Sequence, residues 1–391
     1  MRILFINSVY KYGSTGRLVH DLKESMKGLG HEVLVAYGRH KQETDEDAFY
    51  FGSNLSSMGH LLATRLMGNH GLHSTRKTKR LIKVIKEFKP DVIHLHNLHG
   101  YYLNVPLLFD FLKKIDVPVV WTLHDCWSVS GSAAYFDFDG CKLWDEGCIE
   151  CNNTKTYPEV WLFSNQKKNF EWKKEVFTSL DNLTIITVSD WLKELMETTF
   201  LKKYEIKRIY NGIDLETFVP KKEANKSDTI KLLGVANIWE ERKGLNDFIA
   251  LSKVLPDNYE ITLIGLSKTQ IDALPGNVIG IERTDSIHEL VQYYQNSNLY
   301  LNLSVEETMG LTTVEALACG TPSIVYNKTA VPEVINAYSG IVVEANDIAS
   351  LKAVIEAFDF EGYTIDNCRE RALGFAQYLM IENYVNVYKS C

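Results

Sequence analysis

The chain has 391 residues, 45% of them hydrophobic and 24% charged, with 24 glycines and 9 prolines. That length exceeds what one hydrophobic core usually serves, and that composition excludes disorder, collagen-like order and a single small module, so two or three domains are expected. The net charge of −8 suggests an acidic soluble protein, yet it hides a split, because residues 1–210 sum to +3 and residues 211–391 to −11.

Arg2–Asn7 is apolar and β-prone, Tyr10–Gly16 carries two glycines among small polar residues, and Arg17–Leu29 has helical spacing at Leu18, Leu22, Met26 and Leu29. The chain therefore opens as strand, turn and helix. Asn7 and Ser8 interrupt the first apolar run before a signal sequence would be complete, and no stretch approaches the ~18 apolar residues of a membrane span. Seven cysteines, an odd number, argue for largely free thiols in a reducing compartment, and a cytoplasmic protein is expected.

Glu32–Ala36 reads as a second strand, followed by apolar runs at Asp91–His96, Val117–Leu123 and Leu183–Val188, each separated by enough chain for a helix. Asp214–Asp228 is polar, contains Pro220, Lys221 and Lys222, and reads as a linker. Beyond it the rhythm repeats at Lys231–Ala236, Tyr259–Ile264, Asn277–Ile281, Leu299–Leu303, Pro322–Val325 and Gly340–Val343, with helices at Lys243–Leu255 and Leu311–Ala318. The pattern predicts two doubly wound α/β domains facing each other, with loops beyond the strands' carboxyl ends contributing to one deep cleft. The domains are expected at 1–210, with a Cys-rich insert at about 126–158, and at 211–375, with a helix at 376–391 packing back on the first.

Two segments carry most of the chemistry. Gly13–Gly16 follows the first strand, where backbone N–H groups and a helix dipole make an anion or hydroxyl site. It is neither the dinucleotide fingerprint nor a Walker loop, which takes support from hydride transfer and from NTP hydrolysis; a tight turn needing glycine fits it equally well. In Ser304–Pro322 the carboxylates Glu307 and Glu315 lie eight positions apart with Gly310 and Leu311 at a helix start between them. Amides around Met309–Thr312 would face a phosphate, and both acids could accept from hydroxyls; a capping acid with a solvated helix acid is the plainer reading.

The run from Glu307 to Glu315, with Ala316, Gly320 and Pro322, resembles the E-x7-E signature of retaining GT-B glycosyltransferases, specifically glycosyltransferase family 4. Gly13–Gly16, Gly30–Val33, Thr122–Asp125, Ser189 with Trp191, Asn211–Asp214 and Arg242–Gly244 agree with it in order, from residue 1 to about 345. The resemblance implies that Arg242 and Lys243 neutralise a donor diphosphate, chemistry that suits a fork-shaped and a point cation. It implies that Glu315 holds the nucleotide ribose, that Glu307 holds donor-sugar hydroxyls, and that Met309, Gly310 and Leu311 approach sugar and phosphate through their backbone. His124 is implied near donor sugar and acceptor, and Gly16 beside the diphosphate. Two positions depart from the family pattern: Ala236 and Asn237 stand where Gly-Arg is frequent, leaving Asn237 as an uncharged phosphate contact, and Met309 stands where Phe is frequent.

From this follow a metal-independent transfer from a UDP- or GDP-sugar with retained configuration, by front-face attack of the acceptor hydroxyl, and no cofactor. Asp137 and Asp139 have D-x-D spacing but lie in the insert. The acceptor is expected to be a glycan or lipid-linked oligosaccharide. A nucleotide-sugar epimerase and a non-catalytic sugar-nucleotide-binding protein are the rival functions.

Three further features stay open. His94, His96 and His99 suggest either a metal site or polar packing and acceptor contacts at a strand end. Cys126, Cys141, Cys148 and Cys151 have the look of a structural zinc knuckle, and their surroundings resemble an insert of the colanic-acid and exopolysaccharide branch whose first cysteine would fall near Ala133. Arg76–Lys89 is a basic amphipathic helix, either a peripheral contact for anionic lipid at the inner membrane face or a core-facing helix with a solvated basic side. No nucleic-acid-binding module is found.

Overall fold

A computed structural model describes residues 1–42, 45–142, 144–149, 156–221 and 228–391. The chain divides into two compact units, Met1–Ile209 with Ile381–Cys391, and Tyr210–Met380.

Among the described residues the first unit holds seven parallel strands, β1 (Arg2–Asn7), β2 (Glu32–Tyr37), β3 (Ala48–Tyr50), β4 (Val92–Leu95), β5 (Val119–Leu123), β6 (Leu183–Thr187) and β7 (Glu205–Arg208). They are ordered β3-β2-β1-β4-β5-β6-β7, so the strand order reverses beside β1. The helices are α1 (Gly13–Gly28), α2 (Asn54–Met67), α3 (Thr75–Phe88), α4 (Val105–Leu112), α5 (Gln166–Phe177) and α6 (Asp190–Thr198). Ile3, Leu4, Phe5 and Ile6 are fully buried, as a central parallel strand covered on both faces requires. Each such side chain contributes roughly 1.5–3 kcal/mol relative to exposure.

The described residues of the second unit form six parallel strands, β8 (Ile230–Val235), β9 (Tyr259–Ile264), β10 (Val278–Ile281), β11 (Leu299–Asn302), β12 (Ser323–Tyr326) and β13 (Gly340–Val343), ordered β10-β9-β8-β11-β12-β13. Its helices are α7 (Leu245–Ser252), α8 (Lys268–Asp272), α9 (Ile287–Asn296), α10 (Leu311–Ala318), α11 (Ile348–Glu356), α12 (Ile365–Leu373) and the start of α13 (Gln377–Ser390). Leu232, Phe248, Leu263, Leu301, Ile324 and Leu351 anchor the core between sheet and helices. Both units are thus Rossmann-like sheets of the expected doubly wound kind.

Two local expectations need correction. Gly13–Gly16 is not a turn ahead of a helix but the first turn of α1 itself. Gly16 is buried there, with space for a Cβ only 3.1 Å from Val9 Cγ2, so a bare glycine lets the helix start lie against Val9–Lys11. The helix expected over Lys243–Leu255 is also divided. Glu241–Lys243 forms a separate tight 3₁₀ turn, Gly244 takes φ +76°, and α7 begins only at Leu245.

Among the described residues no helix is long and apolar enough to cross a membrane. On α3, Leu81 and Ile85 are buried and the basic side chains face solvent, so its apolar face serves the core. Cys126 and Cys148 are buried, and Cys148 Sγ accepts the Gly131 N–H at 3.0 Å. Cys151 lies outside the described residues, and among those described no group of three potential ligands could hold a metal ion.

Candidate active site

In the second unit, the constellation around Glu307 is built by a close backbone approach. A Cβ on Gly244 would lie 2.2 Å from Leu303 O, so glycine lets the 3₁₀ turn pack directly on the end of β11. Val305 N donates to Arg242 O at 2.8 Å, tying that turn to the loop carrying Glu307. Lys243 Nζ donates to Glu307 Oε1, and Arg242 Nη1 lies 3.8 Å from Glu307 Oε2 while donating to Glu306 O at 2.7 Å. Glu240 Oε2 accepts from Arg242 Nε at 3.0 Å, and Ser304 Oγ donates to Glu307 Oε1 at 3.4 Å. The backbone of Glu307 is held by Thr329, whose Oγ1 accepts the Glu307 N–H at 2.9 Å.

Burial opposes ionisation of Glu307, but Lys243 and Arg242 beside it outweigh burial and hold its carboxyl below the usual range. Burial likewise pushes the Lys243 ammonium down while Glu307 pulls the other way. The Glu307 carboxyl is therefore ionised at neutral pH, and each partner keeps further capacity, since an ammonium has three donors and a carboxylate about four lone-pair directions.

Gly310 caps α10 in the left-handed conformation, φ +84°, and the unsatisfied N–H groups of a helix's first turn start at Leu311. Met309 is buried, its Sδ accepting the Asn211 N–H at 3.2 Å. Glu315 sits one turn into α10, where Tyr294 OH donates to its Oε2 at 2.8 Å. Burial, followed by Glu315, pushes the Tyr294 phenol well above its ordinary range, so it stays a neutral donor. Tyr300 OH donates to Thr312 Oγ1 at 2.7 Å and fixes the same turn. Asn237 is exposed on the loop after β8. Arg242, Lys243 and Glu307 are therefore drawn into one cluster, with Gly310, Leu311 and Glu315 on the adjoining helix. The sequence assigns no role to Glu240, Tyr294 or Thr329 and names Ser304 only as the first residue of its segment; of the other three, Glu240 alone lies next to a motif.

In the first unit, β4 and β5 end in a polar layer. His96 Nδ1 and His124 Nε2 are 3.0 Å apart, and the His94 and His96 ring centroids 4.1 Å apart, as same-face placement requires. His94 is bonded on both nitrogens, to Tyr388 OH at 2.6 Å and Thr122 Oγ1 at 2.8 Å. His99 Nε2 lies 2.6 Å from Asp125 Oδ2, and its Nδ1 3.1 Å from Tyr157 OH. These contacts make the three histidines strand-end polar packing. Burial lowers His124 to about 4, with Asp125 countering, so the imidazole is neutral near pH 7. A small cavity at these strand ends is lined by His96, His124, Trp127 and Ser128. His96 Nε2, Trp127 Nε1 and Ser128 Oγ are buried polar atoms there without a partner among the described residues. Gly16, in α1, packs against Val9–Lys11.

Residues 15–217 match the family described as Glycosyltransferase Family 4, and residues 216–371 the one described as Glycosyl transferases group 1. A protein of Escherichia coli (strain K12) named as a colanic acid biosynthesis glycosyl transferase, WcaC, is 24% identical over the full length of both chains. Among solved structures, a sucrose-phosphate synthase from Thermosynechococcus elongatus superposes with TM-score 0.72 at 16% identity, covering 100% of this chain and 98% of that one. Anabaena Alr3699/HepE, solved with UDP and glucose, gives TM-score 0.67 at 15% identity over the whole of both chains. With the first family spanning more than half of the sequence and the second continuing where it stops, this chain belongs to glycosyltransferase family 4, group 1, and is a glycosyltransferase of GT-B fold.

Proposed function

We propose that the chain transfers a sugar from a nucleotide-sugar donor, a UDP- or GDP-sugar, to a hydroxyl of a glycan or lipid-linked oligosaccharide in polysaccharide biosynthesis, with retention and without a metal. The observation that carries this reading is the Arg242–Lys243–Glu307 cluster, two cations on an acid that can bind hydroxyls and that lies in the loop leading into the Gly310 cap of α10. Arg242, Lys243 and the amides of Leu311 and Thr312 stabilise the charge that develops as the donor's anomeric C–O bond breaks and the diphosphate leaves. The acceptor oxygen bonds to the anomeric carbon on the face the diphosphate vacates, and its proton passes to the departing phosphate oxygen. Glu315, oriented by Tyr294, takes the ribose hydroxyls, Asn237 a phosphate oxygen, and Gly16 a position beside the diphosphate. Neutral His124, with His96 Nε2 and Ser128 Oγ nearby, offers hydrogen bonds to sugar hydroxyls. The UDP and glucose named in the HepE structure and the colanic acid named for WcaC support the donor class and the pathway class.

We assign the working location to the cytoplasm at the inner membrane face, where the solvated cations of Arg76–Lys89 contribute charge. The donor domain is taken as 211–375 and the acceptor-side domain as 1–210. A thermal-shift panel of UDP-, GDP-, ADP- and dTDP-sugars identifies the base, because stabilisation reports affinity. Lys243→Ala and Glu307→Ala are each expected to lower kcat by about 100-fold or more, with circular dichroism unchanged. Wild-type turnover in both overturns the site. Full turnover in EDTA is expected, and its loss overturns metal independence.

A further inference from the structure

Helix α2 is built inside out. Its outward face carries Leu55 at 82% exposure, Met58 at 67% and Leu62 at 52%, spaced three and four apart on one stripe. Its buried residues are polar, His60 and Thr64. His60 is fixed inward on both ring nitrogens, to Ser74 Oγ at 3.0 Å and from Gly71 N at 3.2 Å, so the apolar stripe is held outward by inward hydrogen bonds.

A second exposed apolar element is pinned alongside. Trp161, Leu162 and Phe163 are consecutive and exposed. Trp161 N donates to Arg65 O at 2.6 Å, Phe163 N to Leu66 O at 3.1 Å, and Asn165 Nδ2 to Met67 O at 2.5 Å. These are carbonyls of the last turn of α2, which a helix leaves without an internal partner. The segment therefore runs along the end of α2, its backbone spent on the helix and its large side chains facing out. The Arg65 guanidinium sits 4.6 Å from the Trp161 ring centroid, an aromatic and cation pairing suited to the boundary between hydrocarbon and headgroups.

We propose that the outward face of α2, together with Trp161–Phe163, docks on a bilayer containing anionic phospholipid. Charge complementarity selects this occupant. Helix α3 follows α2 directly, joined to it by the His60–Ser74 bond, and exposes Arg76, Lys79, Arg80, Lys83 and Lys86 with Glu87 as its one acid. Cations beside exposed Leu, Met, Phe and Trp side chains match anionic headgroups over acyl chains. A second copy of the chain fits less well, because a two-fold contact would set the same basic helix against itself. The inference deepens the lipid-carried acceptor of the proposed function, but α2 and Trp161–Phe163, not α3, supply the inserting surface.

The test is flotation of the full chain with vesicles of equal phosphatidylglycerol and phosphatidylcholine, against phosphatidylcholine alone. Wild type is expected to float with the mixed vesicles only. L55S/M58S/L62S and, separately, L162S/F163S are expected to weaken that binding roughly tenfold or more, and R76E/K79E to remove its dependence on phosphatidylglycerol. Each variant is checked for unchanged stabilisation by nucleoside diphosphate, which keeps a failed fold or a failed donor assignment separate from failed docking. Wild type that stays with the bulk solution, apolar variants that float like wild type, or a wild-type dimer dispersed by L55S/M58S/L62S without lipid binding would each overturn the proposal.

Discussion

Lys243 and Glu307 hold each other in a site from which water is largely excluded, and the pair's value lies in what it can exchange. A buried ion pair contributes little net stability, because desolving two charges costs about as much as their attraction returns. Here Glu307 opposes the proton loss that burial favours at Lys243, the two cations keep the carboxylate ionised, and in the proposed reaction phosphate oxygens and sugar hydroxyls replace the partners. Tyr294 illustrates a positioning residue. Tyr294→Phe removes a hydrogen bond to a charged group, typically about 1.5–3 kcal/mol, so nucleoside diphosphate binding by calorimetry is expected to weaken about tenfold with kcat nearly unchanged. Equal affinities in the two proteins would remove Tyr294 from the site. Gly244 is the complementary case, structural in origin. Gly244→Ala forces a Cβ to 2.2 Å from Leu303 O at φ +76°, and a loss of about 1–3 kcal/mol in urea unfolding is expected. An unchanged midpoint would show that the turn does not need its glycine.

At the scale of elements, the ends of β4 and β5 make the first unit acid-sensitive. Burial holds His94 and His96 well below their ordinary value and His124 at about 4. Because the folded values lie below the unfolded one near 6.5, the unfolded chain binds these protons first as pH falls. Stability is therefore unaffected above about pH 6.5, declines below it, and for His124 stops declining under about 4. The slope is about 1.4 kcal/mol per pH unit for each titrating histidine. Urea midpoints should hold level from about pH 7.5 to about 6.5 and fall from there to about pH 4.5, and a flat profile throughout would contradict the buried, neutral assignment. Helices α2 and α3 show how alike amphipathic elements diverge. The periodicity of α3 points its Leu81 and Ile85 inward, whereas the same periodicity in α2 points its Leu55 and Met58 outward.

At the scale of the whole molecule, the chain leaves the first unit at Ile209 and returns to it at Ile381. The return has a chemical cause: α13 brings Tyr384 OH to 2.9 Å from Thr122 Oγ1 and Tyr388 OH to 2.6 Å from His94 Nδ1. Tyr388→Phe leaves His94 Nδ1 buried without its partner and is expected to cost about 1–3 kcal/mol, read as a lower melting temperature of the first unit. A melting temperature equal to wild type would mean that α13 packs on the unit through its apolar side chains alone. The net charge of −8 is also a property of units rather than of the molecule. The acidic second half keeps Arg242 and Lys243 where a diphosphate is proposed, and the first half owes its sign largely to α3.

Sequence by itself determined the two parallel sheets, because strands buried on both faces must be short continuous apolar runs, and it determined the span of α10, because Gly310 directly precedes the segment Leu311–Ala318 and Gly320 and Pro322 follow it. The tight turn at Arg242–Lys243 was not legible, since helical spacing continues through it and only the approach of Gly244 to Leu303 breaks it. Tyr294 and Thr329 were invisible for a related reason: they reach Glu315 and Glu307 across 21 and 22 residues of chain, and nothing in a one-dimensional pattern pairs them. Tertiary structure alone decided which side chains tie α13 to the first unit, Tyr384 to Thr122 and Tyr388 to His94, and that α2 turns its apolar side outward, because periodicity establishes that a helix has two faces while only packing decides which of them meets the core.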